Sequence, residues 1–299
     1  MRMESQLSRE QLNGGGKDKR ALGILCILLS AFFFSLMSVF VRLSGDLPTF
    51  QKALFRNAVA AVTAFCLLVR SRSFAIKKGC FLPLLARAVA GTVGIIGNFY
   101  AIDHMYVSDA SLLNKLAPFF SVIFSFFILK EKANWKDWLL VFIAFFGALF
   151  VVKPSFDLSK SIPALVGVLG ALGAGLAYTF VRYLGGKGER ASIIVFYFSV
   201  FSTAAVLPMA IADFQPMTAA QVVFLLLAGL AASVAQFALT TAYSFAPAKE
   251  ISVYDYSQVL FAAIWGVLFF SELPDWISFI GYAIIISAAL VKYFLGKKK

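Results

Sequence analysis

The chain has 299 residues, of which 61% are hydrophobic, 16% aromatic and only 14% charged, with a formal net charge of +12 and a mean hydropathy of +0.85. Soluble domains run at roughly 45–50% apolar and about 25% charged. This chain lacks the charge to cover a soluble surface, and its composition excludes disorder, a disulfide scaffold and an ordinary cytosolic enzyme.

The elements follow in chain order. Residues 1–20, with Gly14-Gly15-Gly16, read as a flexible cytoplasmic tail. Apolar runs of membrane-spanning length then fall at 21–43, 51–69, 84–103, 108–129, 135–152, 162–182, 191–211, 218–243, 249–271 and 275–295. A basic tail, 296–299, closes the chain. The breaks between runs carry turn chemistry or charge, as in Ser44-Gly45-Asp46-Leu47-Pro48 and Gly185-Gly186-Lys187-Gly188. The runs lack the period-two alternation of barrel strands, so an all-α polytopic membrane protein is predicted. The first run is too long for the core of a signal peptide and has no small-residue cleavage site before Arg42.

With the N-terminus placed in the cytoplasm, the outer segments hold only Arg42, Lys52, Lys153 and Lys160 of the 27 basic residues. Arg56, Arg87 and Lys115 lie inside spans, and all the rest fall on the cytoplasmic side. This asymmetry predicts a multi-pass protein of the cell membrane with both termini cytoplasmic, and the lipid bilayer as partner. The net charge thus reports topology. The basic residues form no basic-aromatic patch, so nucleic acid is not a predicted partner. Cys26, Cys66 and Cys80 show no paired spacing and read as reduced structural thiols.

Residues 99–152 slide onto 240–293 without a gap, a shift of 141. Ala101 falls on Ala242, Ser111 on Ser252, Glu131 on Glu272 and Trp135 on Trp276. The Glu and Trp matches at one helix-loop-helix junction carry the comparison, because apolar matches arise cheaply in such a composition. Spans 1–5 (21–152) and 6–10 (162–295) therefore read as two copies of one unit. Five is odd, so the second copy enters the membrane from the opposite side. Inverted repeats are a transporter architecture, because two near-equivalent halves can exchange conformations around a central site.

Ten spans in two fives resemble the drug/metabolite transporter superfamily, specifically its EamA-type members. The resemblance rests on Arg87, Gly91, Phe99-Tyr100-Ala101-Ile102, Ser108 to Ala110, Pro118, Leu129-Lys130-Glu131 and Gly147 in the first copy. The second copy adds Ala242-Tyr243 to Ala246, Ser271-Glu272-Leu273 and Gly281, with Val259 where Pro118 stands in the first. It implies a secondary carrier of small organic solutes and leaves the solute open.

Ionisable groups inside a span usually face a cavity or a partner. Ser111, Asn114, Lys115 and Pro118 share one face of the fourth span, and Pro118 is predicted to kink it near Asn114. Ser252, Asp255 and Gln258 form the related face of the ninth, beside Tyr254 and Tyr256. Lys115 is expected to hold an anionic group of the solute, and Asp255 a cationic group or a coupling proton. A locking Lys115–Asp255 pair and a snorkelling Lys115 are the competing readings. Helical rise separates the two by about 10 Å along the membrane normal. Asn98, Gln236, Arg56, Tyr100 and Tyr178 are further candidates for solute contact, with interhelical hydrogen bonding, snorkelling or packing as their alternatives. Arg87 is expected to snorkel to the cytoplasmic end. Gly91, Gly94 and Gly97, and likewise Gly167, Gly170 and Gly173, read as close helix-packing faces. Glu131 and Glu272 read as interfacial caps.

An enzyme is disfavoured. His104 is the only His, no HExxH or GxSxG occurs, and Asp255 is the one deep Asp. No metal site or cofactor is predicted. The expected activity is alternating-access transport of an amino-acid-like or other zwitterionic metabolite. The alternatives are export of amphipathic organic cations or drugs, carriage of a nucleotide-like cofactor, and a membrane scaffold or sensor. Proton coupling and a homodimer stay open.

Overall fold

The computed structural model describes residues 2–72, 74–104, 112–152, 161–271 and 273–297. Among these residues the helices run in order: α1 (Arg2–Leu43), α2 (Thr49–Ser71), α3 (Phe81–His104), α4 (Ala117–Leu129), which follows a short helical stretch at 112–114, α5 (Trp135–Val152), α6 (Ser161–Gly186), α7 (Ala191–Ala212), α8 (Ala219–Phe245), α9 (Ala248–Asp255), α10 (Ser257–Phe270) and α11 (Trp276–Lys297). They supply ten segments long and apolar enough to cross a membrane, with α9 and α10 sharing one, Ala248–Phe270. Two differences from the sequence reading stand out. The first helix begins at Arg2, although its apolar part is Lys19–Leu43. The ninth span, expected as one helix, is broken in two at Tyr256.

Local chemistry sets several helix ends. Pro48 precedes α2, and Thr218 with Gln221 closes a capping box on α8. The C-caps of α4 and α10 show the repeat in the backbone itself. Lys130 (φ 56°, ψ 26°) and Ser271 (φ 55°, ψ 28°) both stop their helices in the left-handed conformation, and both are non-glycine. They are equivalent under the 141-residue shift.

Packing follows the same symmetry. If α1–α5 correspond in order to α6, α7, α8, α9 with α10, and α11, each main contact between the repeats has its mate. α3 packs on α6 as α8 packs on α1, and α4 packs on α6 as α10 packs on α1. α2 meets α7, and α5 meets α11, each with its own counterpart. The repeats are therefore interlocked, and neither has a private core. Large apolar side chains such as Leu82, Phe127 and Leu268 cover the outer surface, which a bilayer satisfies. The main buried cluster, including Ile27, Leu68, Leu84, Leu184, Ile194 and Ile251, sits toward the end that carries the α2–α3 and α6–α7 connections. It plugs that end of the bundle.

Glycine makes the α3–α6 seam close. A Cβ on Gly97 would lie 2.7 Å from the Cα of Gly170, and one on Gly173 would lie 2.8 Å from the carbonyl of Ala90. Gly94 meets Ala174 in the same way. The small-residue faces read from the sequence are here pressed together.

Candidate functional site

The site begins where two helices fail. Ahead of α4 the chain turns tightly, with Lys115 N–H donating to Leu112 O at 2.9 Å and Leu116 N–H to Leu113 O at 3.0 Å. Pro118 has no N–H to extend the upstream helix across this turn. Between α9 and α10 the chain makes a similar turn at Tyr256, where Val259 N–H donates to Tyr256 O at 3.0 Å. No proline is present there. Leu116 (φ −75°, ψ −18°) and Tyr256 (φ −66°, ψ −15°) have nearly the same backbone. Both breaks place polar side chains at mid-span.

Those side chains meet. The Lys115 ammonium donates to Gln258 Oε1 at 2.6 Å and lies 3.6 Å from Asp255 Oδ2. The Tyr256 hydroxyl donates to the Lys115 carbonyl at 2.9 Å. The separation of about 10 Å expected from helical rise assumed two regular helices. The long Lys115 side chain spans it, so Lys115 and Asp255 pair directly. Gln258 is the tighter partner of the two. The pair lines a cavity and leaves room beside it.

That cavity, of about 740 Å³, lies between the repeats. Of the sequence candidates, Arg56, Asn98, Asn114, Lys115, Tyr178, Gln236, Asp255 and Gln258 line it. Three do not. Tyr100 stacks on His104, with ring centroids 4.1 Å apart. Tyr254 is buried in the plug cluster, and Tyr256 is buried under the Lys115 carbonyl. Ser111 lies outside the described residues, as does Glu272. The cavity also reaches Arg42, Thr49 and Lys52, so it extends toward the end that carries the α1–α2 turn. Near that mouth Arg42 stacks over Phe270 at 3.9 Å, and Lys52 donates to Gly45 O at 2.7 Å.

Arg87 departs from expectation. It does not snorkel: it is 1% exposed and lines the cavity. Its guanidinium lies 3.9 Å over the Phe198 ring of α7, and its Nε and Nη1 find no hydrogen-bond acceptor among the described residues. Gly91, one turn further along α3, makes the space. A Cβ there would land on Arg87 Nη1 and lie 2.7 Å from Phe198 Cε2. The signal in the sequence was the spacing Arg87-x-x-x-Gly91, which the packing reading of Gly91 concealed.

At the opposite end the cavity is shut by an aromatic stack within the second repeat and by polar contacts between the repeats. Tyr178 stacks on Tyr243, centroids 4.9 Å apart, and the Ser121 hydroxyl lies 3.3 Å from that of Ser252. Beyond them Arg182 Nε donates to Glu131 Oε1 at 2.9 Å, and its Nη1 to Ser244 O at 3.1 Å. Glu131 follows the left-handed Lys130 directly, so the cap conformation aims this carboxylate across the repeat boundary. Expected only as a helix cap, Glu131 is half of an ion pair that joins the two copies.

Comparisons with known proteins fit this geometry. The EamA-like transporter family matches residues 21–153 and again 161–294. The pseudopaline exporter CntI of Pseudomonas aeruginosa is 34% identical over 270 residues, which cover 90% of this chain and 94% of that protein. Human solute carrier family 35 member G1 is 26% identical over 93% of this chain and 81% of its own length. A solved crystal structure superposes with a TM-score of 0.81 at 13% identity, over 92% of this chain and 98% of its own, and shares the fold. The chain is a membrane transporter of the EamA-like family, within the drug/metabolite transporter superfamily.

Proposed function

We propose that this protein carries a small zwitterionic metabolite across the cell membrane by alternating access, and that it has no catalytic role. One observation carries the reading: the cavity between interlocked inverted repeats presents a cation and an anion, Lys115 and Asp255, side by side. An amino-acid-like solute would exchange partners with that pair, its carboxylate going to Lys115 and its ammonium to Asp255. The positive-inside distribution puts both termini in the cytoplasm and the α1–α2 end outside. On that placement the conformation seen is outward-facing, sealed on the cytoplasmic side by Arg182–Glu131. The name of the 34% identical relative, an exporter, supports outward movement of a metabolite. Asp255 is also the group that would bind a coupling proton.

Organic-cation export is the weaker reading, because among the described residues five basic side chains line the cavity (Arg42, Lys52, Arg56, Arg87 and Lys115) against one acidic, Asp255. The test is a thermal-unfolding screen of detergent-purified protein against zwitterions, organic anions, organic cations and nucleotides, with Asp255→Asn and Lys115→Ala alongside. Zwitterions should raise the melting temperature of the wild type by mass action and fail to do so in both variants. Stabilisation by organic cations instead would overturn the assignment.

A further inference from the structure

Among the described residues the charges of the cavity are not balanced, and the imbalance is localised. Asp255 is engaged by Lys115, and Lys52 has its Gly45 carbonyl. Arg56 and Arg87 are different. Among the described residues neither guanidinium has a carboxylate within ion-pair distance. Arg56 donates only to the neighbouring Asn57 Oδ1, at 3.0 Å. Arg87, almost fully buried, leaves Nε and Nη1 without an acceptor. A guanidinium carries five donors in a fixed fork suited to a carboxylate. A buried, unpaired one costs free energy in the empty protein. The Phe198 ring and the space left by Gly91 hold Arg87 in this position, which favours a built receptor over an accident of packing. Arg56 and Arg87 come from different helices, α2 and α3, yet line one cavity with Tyr178, which lies within electrostatic range of both and of Asp255.

We infer that Arg56 and Arg87 form an anion clamp for a second carboxylate of the cargo, so that the transported solute is an amino dicarboxylate, net anionic, and not a neutral amino acid. This inference rests on the carrier reading above and extends it. The ammonium and one carboxylate replace the Lys115–Asp255 contacts, and the remaining carboxylate bonds the cavity-facing Arg56 guanidinium and turns that of Arg87, whose Nε and Nη1 are closed off by protein in the conformation seen, toward itself. The cavity volume lies within the range of roughly 300–1,000 Å³ usual for small-molecule sites.

The experiment uses the full-length protein in detergent at fixed ionic strength. The probes are α-amino dicarboxylates of increasing chain length (glutamate, α-aminoadipate, α-aminopimelate), each beside its ω-amide and its amine-free diacid. In the wild type the diacid with an amine should stabilise more than either matched control. In Arg56→Gln and Arg87→Gln that increment should vanish, with affinity falling roughly tenfold to a hundredfold, while the response to the ω-amide stays. Arg87→Lys keeps the charge without the fork and should recover the increment only in part. Equal responses to acid and ω-amide in the wild type overturn the clamp and leave the zwitterion carrier standing, and this arm needs no variant to fold. An increment that survives both Arg→Gln changes does the same. No response to any amino acid, diacid or other organic anion, in monodisperse wild-type protein, overturns both.

Discussion

The hydroxyl of Tyr256 donates to the main-chain carbonyl of Lys115 at 2.9 Å, and the two residues are 141 positions apart, which is the repeat length. Each therefore occupies the same place in its own copy. The bond ties one helix break to the other, and it fixes the backbone that presents the Lys115 side chain to Gln258 and Asp255. Tyr256→Phe removes the donor and leaves a buried carbonyl unpaired. It is expected to cost about 1–3 kcal/mol of stability, read as a lower melting temperature, together with slower uptake in proteoliposomes. Unchanged stability and transport would show that the breaks hold their shape without the tie.

Asp255→Asn keeps the shape of the side chain and removes its charge. The protein should reach the membrane and purify as a monodisperse species, because Lys115 retains Gln258 at 2.6 Å. Transport should drop by roughly tenfold or more, the cost of one lost charged hydrogen bond to the cargo. Wild-type uptake by this variant would remove Asp255 from the transport mechanism.

Gly91 and Gly97 separate two roles on one helix. Gly97→Ala drives a methyl group toward the Cα of Gly170 and should wedge α3 from α6, costing about 1–3 kcal/mol. Gly91→Ala collides with the Arg87 guanidinium and Phe198 instead. Its main effect should be on ligand affinity, with a smaller loss of melting temperature than Gly97→Ala. Comparing melting curves with ligand titrations of the two variants checks this, and the reverse ranking would place Arg87 among the structural residues.

The Glu131–Arg182 pair seals the end of the bundle opposite the mouth. Glu131→Gln weakens that seal by about 1–2 kcal/mol, which shifts the balance of open and closed forms by a factor of roughly 5–30. In a background lacking Cys26, Cys66 and Cys80, a thiol placed by Ser244→Cys should then react faster with a water-soluble reagent. Equal labelling rates with and without Glu131→Gln would mean that the buried cluster and the Ser121–Ser252 contact hold the seal without this pair.

Lys130 and Ser271 adopt a conformation that suits glycine better. Lys130→Gly relieves the left-handed strain and should raise the melting temperature slightly, by an amount worth about 0.5–1 kcal/mol. A lowered melting temperature would show that the Lys130 side chain makes a compensating contact.

Much of this was legible from the residues. Apolar run length and the scarcity of charge placed the spans, since lipid leaves the backbone few options. The Glu131/Glu272 and Trp135/Trp276 matches exposed the duplication. Pro118 announced one helix break, because a missing N–H is visible in the sequence. The matching break at Tyr256 was not legible: it is held by contacts with the other repeat, and α9 and α10 contain no residue that forbids a helix. Arg87 was misread for a related reason. Its burial depends on Phe198, more than a hundred positions away, and on an absent side chain at Gly91. The pairing of Lys115 with Asp255 was one of the readings left open by the sequence, and the reach of the Lys115 side chain decides it.

The seam between α3 and α6 has a mechanical consequence. Most helix pairs interdigitate, so that one cannot move along the other until its side chains withdraw and re-thread. Where Gly94, Gly97, Gly170 and Gly173 face each other, backbone lies against backbone and there are no knobs to lift. Such a surface works as a plain bearing: it carries load across the joint and resists translation weakly. Its mate is the α1–α8 contact, where Gly23 lies against Ala246, the residue that caps α8, but where larger side chains such as Ile27 and Leu239 are also buried. On the alternating-access reading, a smooth joint at α3–α6 would let one half tilt against the other as a rigid lever, with the rearranging chemistry left to the few polar contacts at either end.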